Sequence, residues 1–119
     1  MPSKDSSQKR MSADDFRRLA LAMPEASEGA HHGNPDFRVA KKIFATLAFE
    51  DEGFGVVLIS RTEQTSLITA EPEVFSAVPG GWGRQGATRV LLARVTEKML
   101  TAALELAWRK RAPKRLAPT

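Results

Sequence analysis

The sequence predicts an α+β fold: a two-layer domain in which an antiparallel sheet carries helices on one face. Three observations carry that expectation. Apolar residues recur at helical spacing near both ends of the 119-residue chain, and in strand-like runs between them. Those runs are joined by turn signals too short for parallel crossovers, so neighbouring strands pair antiparallel. Each predicted helix has one apolar face, which places the helices on one side of the sheet. The expected order is α-β(3-4)-α-β-α, in a single domain over residues 12–112 between a disordered tail at 1–11 and a basic tail at 113–119.

Residues 1–11 are rich in Ser and Lys with almost nothing to bury. Ser12 reads as an N-cap with Asp15 three residues on, followed by Phe16, Leu19, Ala20 and Met23 at helical spacing and a stop at Pro24. Residues 26–33 are at best a short edge strand, and Gly33-Asn34-Pro35-Asp36 reads as a turn. Phe37-Arg38-Val39 is a short strand with a tight turn near Ala40. The next strand places Ile43, Ala45, Leu47 and Phe49 on one face, and Lys42, Phe44, Thr46 and Ala48 on the other. Asp51-Glu52-Gly53 turns the chain into a central apolar strand, Gly55-Val56-Val57-Leu58-Ile59. A helix is expected over residues 62–70, with Leu67 and Ile68 inward, then a connector anchored by Phe75 and Val78. Beyond a glycine-rich loop, residues 88–92 form the last strand. Thr96 caps a final helix whose stripe runs through Met99, Leu100, Ala103, Leu104, Ala107 and Trp108, and Pro113 ends it.

Composition narrows the function classes. Without cysteine the chain has no disulfides, no thiol catalysis and no thiolate zinc site. No apolar run approaches the roughly 20 residues of a membrane span, and the polar first ten residues hold no apolar signal core. A cytoplasmic protein that does not engage membranes is expected. The net charge of +4 belongs to the tails: residues 11–108 hold 10 basic and 13 acidic side chains. Within that acidic body two stretches lack acids, residues 37–49 with Arg38, Lys41 and Lys42, and residues 74–96 with Arg84, Arg89 and Arg94. Together they could form one electropositive face.

Nothing in the spacing argues for catalysis. No Gly-x-Ser-x-Gly occurs, and the only histidines, His31 and His32, are adjacent and poorly placed to share a metal. No catalytic residue, metal ligand or cofactor is expected. Four of the eight glycines fall in Gly80-Gly81-Trp82-Gly83-Arg84-Gln85-Gly86. A P-loop runs from strand to helix and ends in Gly-Lys-Ser/Thr, whereas this loop runs into a strand. Its glycines read as a tight turn, with Trp82 either packing back on the sheet or waiting for a partner. Arg84 would then contact phosphate, while Trp82 or Gln85 enters a groove or stacks on a base.

The runs Phe37-Arg38-Val39 and Lys42-Ile43-Phe44-Ala45, the helix closed by Glu71-Pro72, and above all Trp82-Gly83-Arg84-Gln85-Gly86-Ala87-Thr88-Arg89-Val90 resemble the MmcQ/YjbR family. The resemblance implies an α+β fold similar to bacterial frataxin-like (CyaY-like) and secretion-chaperone-like domains. It also implies DNA binding through two projecting hairpins, a double wing. By position the first wing holds Arg38, Lys41 and Lys42, and the second Trp82, Arg84, Gln85 and Arg89. The reading is a non-enzymatic DNA-binding protein, monomeric or weakly dimeric. The alternative is a protein-interaction or chaperone-like module working through the sheet face or the Trp82 loop.

Overall fold

Capping fixes where the helices start. In the computed structural model, which describes residues 10–116, Ser12 Oγ accepts from the Asp15 N–H and the Asp15 carboxylate accepts from the Ser12 N–H. This capping box opens α1 (Ala13–Leu21). Ser60 and Glu63 repeat the device at α2 (Arg61–Ala70), one residue earlier than its apolar pattern suggests. Thr96 Oγ1 accepts from the Met99 N–H to start α4 (Glu97–Arg111).

Six strands form one antiparallel sheet: β1 (Ser27–His31), β2 (Asn34–Val39), β3 (Lys42–Thr46), β4 (Phe54–Leu58), β5 (Phe75–Ala77) and β6 (Ala87–Leu91). Their order is β1-β2-β3-β4-β6-β5. Phe16 and Leu19 from α1, and Leu100, Ala103, Leu104 and Ala107 from α4, share one buried cluster with Phe37, Ala45, Val57 and Val90 of the sheet. Leu67 and Ile68 of α2 pack against the same cluster. Gly55 makes room for α1, since a Cβ there would stand 2.3 Å from the Phe16 ring. Val56, next to Val57 in β4, belongs instead to a separate cluster with Val78 and Ala87. Strand alternation puts the two valines on opposite sides of the sheet.

The structure departs from the sequence reading along the sheet and at the C-terminus. The pairing of β2 with β3 shifts register between Phe37 and Arg38. Across this bulge Phe44 and Ala45, neighbours in sequence, both enter the main core, so the expected placing of Phe44 opposite Ala45 is wrong. The first hairpin turns at His32 and Gly33, both with positive φ, and Asn34, Pro35 and Asp36 lie within β2. Pro35 is tolerated because its carbonyl still accepts from the Leu47 N–H and Thr46 Oγ1, so only its missing donor is lost at the strand's start. The connector at Phe75 is a short edge strand, β5. Finally, packing reaches past Pro113: a 3-10 turn (Lys114–Leu116) sets Leu116 against the core. Most of the expected N-terminal tail, residues 1–9, and residues 117–119 of the C-terminal tail lie outside the described residues. Among the described residues no helix is long and apolar enough to cross a membrane.

Candidate functional site

The strand register brings distant parts of the chain to one end of the sheet. Lys42 opens β3, Leu58 closes β4 and Ala87 opens β6, and antiparallel pairing puts these three points together. The β2–β3 turn at Ala40 and Lys41 therefore projects from the same end as the β5–β6 connection, residues 78–86. The start of α2 lies between them, because Arg61 follows β4 closely. The end of α4 joins the group, with Arg111 Nε donating to the Ile43 carbonyl at 3.1 Å.

The two projections differ in build. Ala40 and Lys41 both have positive φ, 51° and 69°, an uncommon conformation for residues with a Cβ. The turn holds them there because Val39 pairs with Lys42 immediately outside it. The second projection contains a short helix, α3 (Gly81–Arg84), where the sequence suggested only a turn. Its glycines serve the chain's own packing. Gly80 has φ 86°, a Cβ on Gly83 would lie 1.7 Å from the Val78 carbonyl oxygen, and one on Gly86 would lie 1.8 Å from that of Ile59.

Gln64, 5% exposed, ties this turn to α2 by donating to the Gly83 and Ala87 carbonyls at 3.0 Å each. Arg61 Nη1 adds a bond to the Arg84 carbonyl at 2.9 Å. Neither residue stood out in the sequence, because both lie outside the two acid-free stretches. Trp82 is 37% exposed and so presents part of its indole to solvent. Gln85 and Arg84 are exposed beside it.

Ion pairs engage part of the cations. Arg17 is paired with Asp14 and Glu28, Arg18 with Asp15 and Glu97, Arg94 with Glu73, and Arg109 with Glu105. At the projecting end, Lys41, Lys42, Arg61, Arg84 and Arg111 make no ion pair among the described residues. The acids there are few and engaged: Glu63 accepts from the Ser60 N–H in the α2 cap, and Glu25 pairs with Arg115. Glu50, Asp51 and Glu52 occupy the β3–β4 turn at the opposite end.

Two of the residues assigned to the wings are used internally. Arg38 grips the fully buried Asp36 through Nε at 2.7 Å and Nη2 at 3.0 Å. His31 Nδ1 lies 2.8 Å from the second carboxylate oxygen of Asp36. Arg89 sits mid-strand opposite Val56, with its guanidinium 4.3 Å from the centre of the Phe54 ring and Nε donating to Ser76 Oγ. Among the described residues no group of three His, Asp or Glu side chains is placed to hold a metal.

The Arg38 guanidinium holds the Asp36 carboxyl below its ordinary range, against the opposing effect of burial and with help from His31. A carboxyl whose folded pKa is depressed stabilises the fold above its unfolded pKa of about 3.9. That contribution is lost as pH falls through the folded value. The stability advantage of wild type over Asp36→Asn should therefore shrink as pH falls below about 4. Urea unfolding at several pH values measures this; an advantage unchanged in acid would contradict it.

Comparison with known proteins agrees with this architecture. No curated protein matches the chain in sequence. The crystal structure of Deinococcus radiodurans protein DR2400, a DUF419 domain, is similar in fold, with a TM-score of 0.67 at 16% identity, over 83% of this chain and 77% of that one. The sequence model of the YjbR family matches residues 21–110, which include all six strands, α2, α3 and most of α4. The chain belongs to the YjbR family.

Proposed function

We propose that the protein is a non-enzymatic nucleic-acid-binding module, with DNA as its partner, that engages phosphates through the end of the sheet bearing its two projections. The observation that carries this reading is the segregation of charge. Arg17, Arg18, Arg94 and Arg109 are each paired with a carboxylate, and Arg10, Arg89 and Lys98 stand unpaired singly, whereas Lys41, Lys42, Arg61, Arg84 and Arg111 are unpaired together at one end among the described residues. Cations left unpaired at one end of an otherwise acidic body create a directed positive potential. The axes of the two hairpins, β2–β3 and β6–β5, are three strand spacings apart, about 14 Å. Contacts so spaced suit phosphates on either side of a groove roughly 12 Å wide. Trp82 and Gln85, exposed on the second projection, supply surface for a base or groove contact.

If all five cations meet phosphates of a duplex, the logarithm of affinity should fall with the logarithm of salt at a slope of about −4.5. Lys42→Ala should flatten that slope by about one unit, and Arg84→Ala by a similar amount. Anisotropy titrations of a labelled duplex at several salt concentrations measure both. No binding at low salt would sink the proposal. Binding that ignores these substitutions but vanishes when residues 1–9 are removed would assign it to the N-terminal segment.

A protein-docking role has the exposed Trp82 as its supporting observation. Light scattering that shows a dimer, with Trp82 fluorescence shifted to the blue on association, would favour it.

A further inference from the structure

A concave site lies within the proposed interface. Between the first turn of α2 and the glycine turn is a cleft of about 320 Å³, with Val78, Gly83 and Gln64 in its lining. Among the described residues Arg61 and Arg84 are the charged ones in its lining, and no carboxylate lines it. We propose that this cleft is a subsite for a single phosphomonoester, and that it seats the terminal phosphate of a bound nucleic-acid strand. The inference rests on the nucleic-acid reading and sharpens it from backbone contact to recognition of a strand end.

The charge balance favours a monoester over an internal diester. A phosphomonoester carries about −1.5 to −2 at neutral pH, which matches two guanidiniums. An internal phosphodiester carries a single charge.

Arg61 is already oriented for this role. Its Nη1 is committed to the Arg84 carbonyl, which leaves the edge formed by Nε and Nη2 as a two-pronged donor of the kind that grips phosphate. It makes no ion pair among the described residues, nor does Arg84. The acid nearest in sequence, Glu63, is held in the α2 cap by the Ser60 N–H. Gln64 spends its amide nitrogen on the Gly83 and Ala87 carbonyls, and this bond pair keeps the cleft's two sides in register. Two unpaired guanidiniums on either side of one cleft repel each other, and an anion between them removes that repulsion.

The test compares three labelled oligonucleotides of one sequence, carrying a 5′-phosphate, a 3′-phosphate or hydroxyls at both ends. One phosphorylated form is expected to bind at least tenfold more tightly than the hydroxyl form. Arg61→Gln should abolish that preference, while Lys42→Ala weakens all three oligonucleotides and preserves the ratio. Thermal melts check that each variant is folded. Equal affinity for all three ends would overturn the strand-end assignment and leave the nucleic-acid reading standing. A fourth arm titrates a nucleoside monophosphate against the amide resonances of Gly83 and Gln64. Binding there with no binding of any oligonucleotide would reject both the strand-end source and the nucleic-acid reading, and would assign the cleft to a free nucleotide. No response in any arm would reject the cleft as a phosphate site.

Discussion

Gly83→Ala and Gly86→Ala are each expected to cost on the order of 3–5 kcal/mol, a large share of a typical domain's stability. A methyl group at residue 83 would stand 1.7 Å from the carbonyl oxygen of Val78, and one at residue 86 would stand 1.8 Å from that of Ile59. Both obstacles are backbone, so neither can step aside as a side-chain tip could. Gly86 adds a φ of 109°, which a residue with a Cβ rarely adopts. Gly33 and Gly53 provide the control, having positive φ with nothing within 4 Å of an added Cβ. Alanine at either should cost only about 1–2 kcal/mol, the conformational part alone. Urea unfolding of the four variants separates close approach from backbone conformation; equal losses at all four positions would refute the close-approach account. The two costly variants should also lose nucleic-acid binding, because relieving either overlap moves the segment that carries Trp82 and Arg84.

Those glycines show how far the sequence could be read. Their clustering pointed to an irregular turn, and the strand after them argued against a phosphate cradle. What they approach could not be read, because Val78 and Ile59 reach them only through tertiary pairing. Local signals were legible: the caps at Ser12 and Thr96, the apolar stripe of α4, and the central strand β4. Elements defined by a partner distant in the chain were not. The edge strand β5 is three residues long and becomes a strand only because Ser76 pairs with Arg89. The bulge at β3 defeats simple alternation, which is why Phe44 and Ala45 share one core although alternation sets them on opposite faces.

The site was legible to a similar degree. The acid-free stretches hold Lys41, Lys42 and Arg84, and the strand register sets these three at one end of the sheet. The same rule overvalued Arg38, because Asp36, one residue before the acid-free stretch, lies on the same face of β2. It passes over Arg61 and Arg111, which lie outside both stretches. Position in the register, more than local composition, decides which cations are available to a ligand.

Gln64 brings these threads together, and substituting it should affect stability and binding at once. Its side chain is buried and its nitrogen reaches two carbonyls, Gly83 and Ala87, on either side of the second projection's base. Each carbonyl also accepts a backbone N–H, Gly83 from Gly86 and Ala87 from Val78, so removing Gln64 orphans neither. Gln64→Met, which keeps the volume, should therefore cost about 1–3 kcal/mol, the worth of two hydrogen bonds in a buried setting. Gln64→Glu should cost more at neutral pH, because it buries a carboxylate against two carbonyl oxygens. Burial and those oxygens would raise its folded pKa above the unfolded value of about 4.3, so the deficit should close as pH falls through the raised value. Binding should weaken in both variants even where the protein stays folded, since α2 carries Arg61 and the glycine turn carries Arg84. A Gln64→Met protein with wild-type salt dependence and wild-type affinity would show that the two arginines need no such tie. A loss confined to the contributions of Arg61 and Arg84, with that of Lys42 intact, is the expected signature of a residue that positions the second projection without touching the ligand.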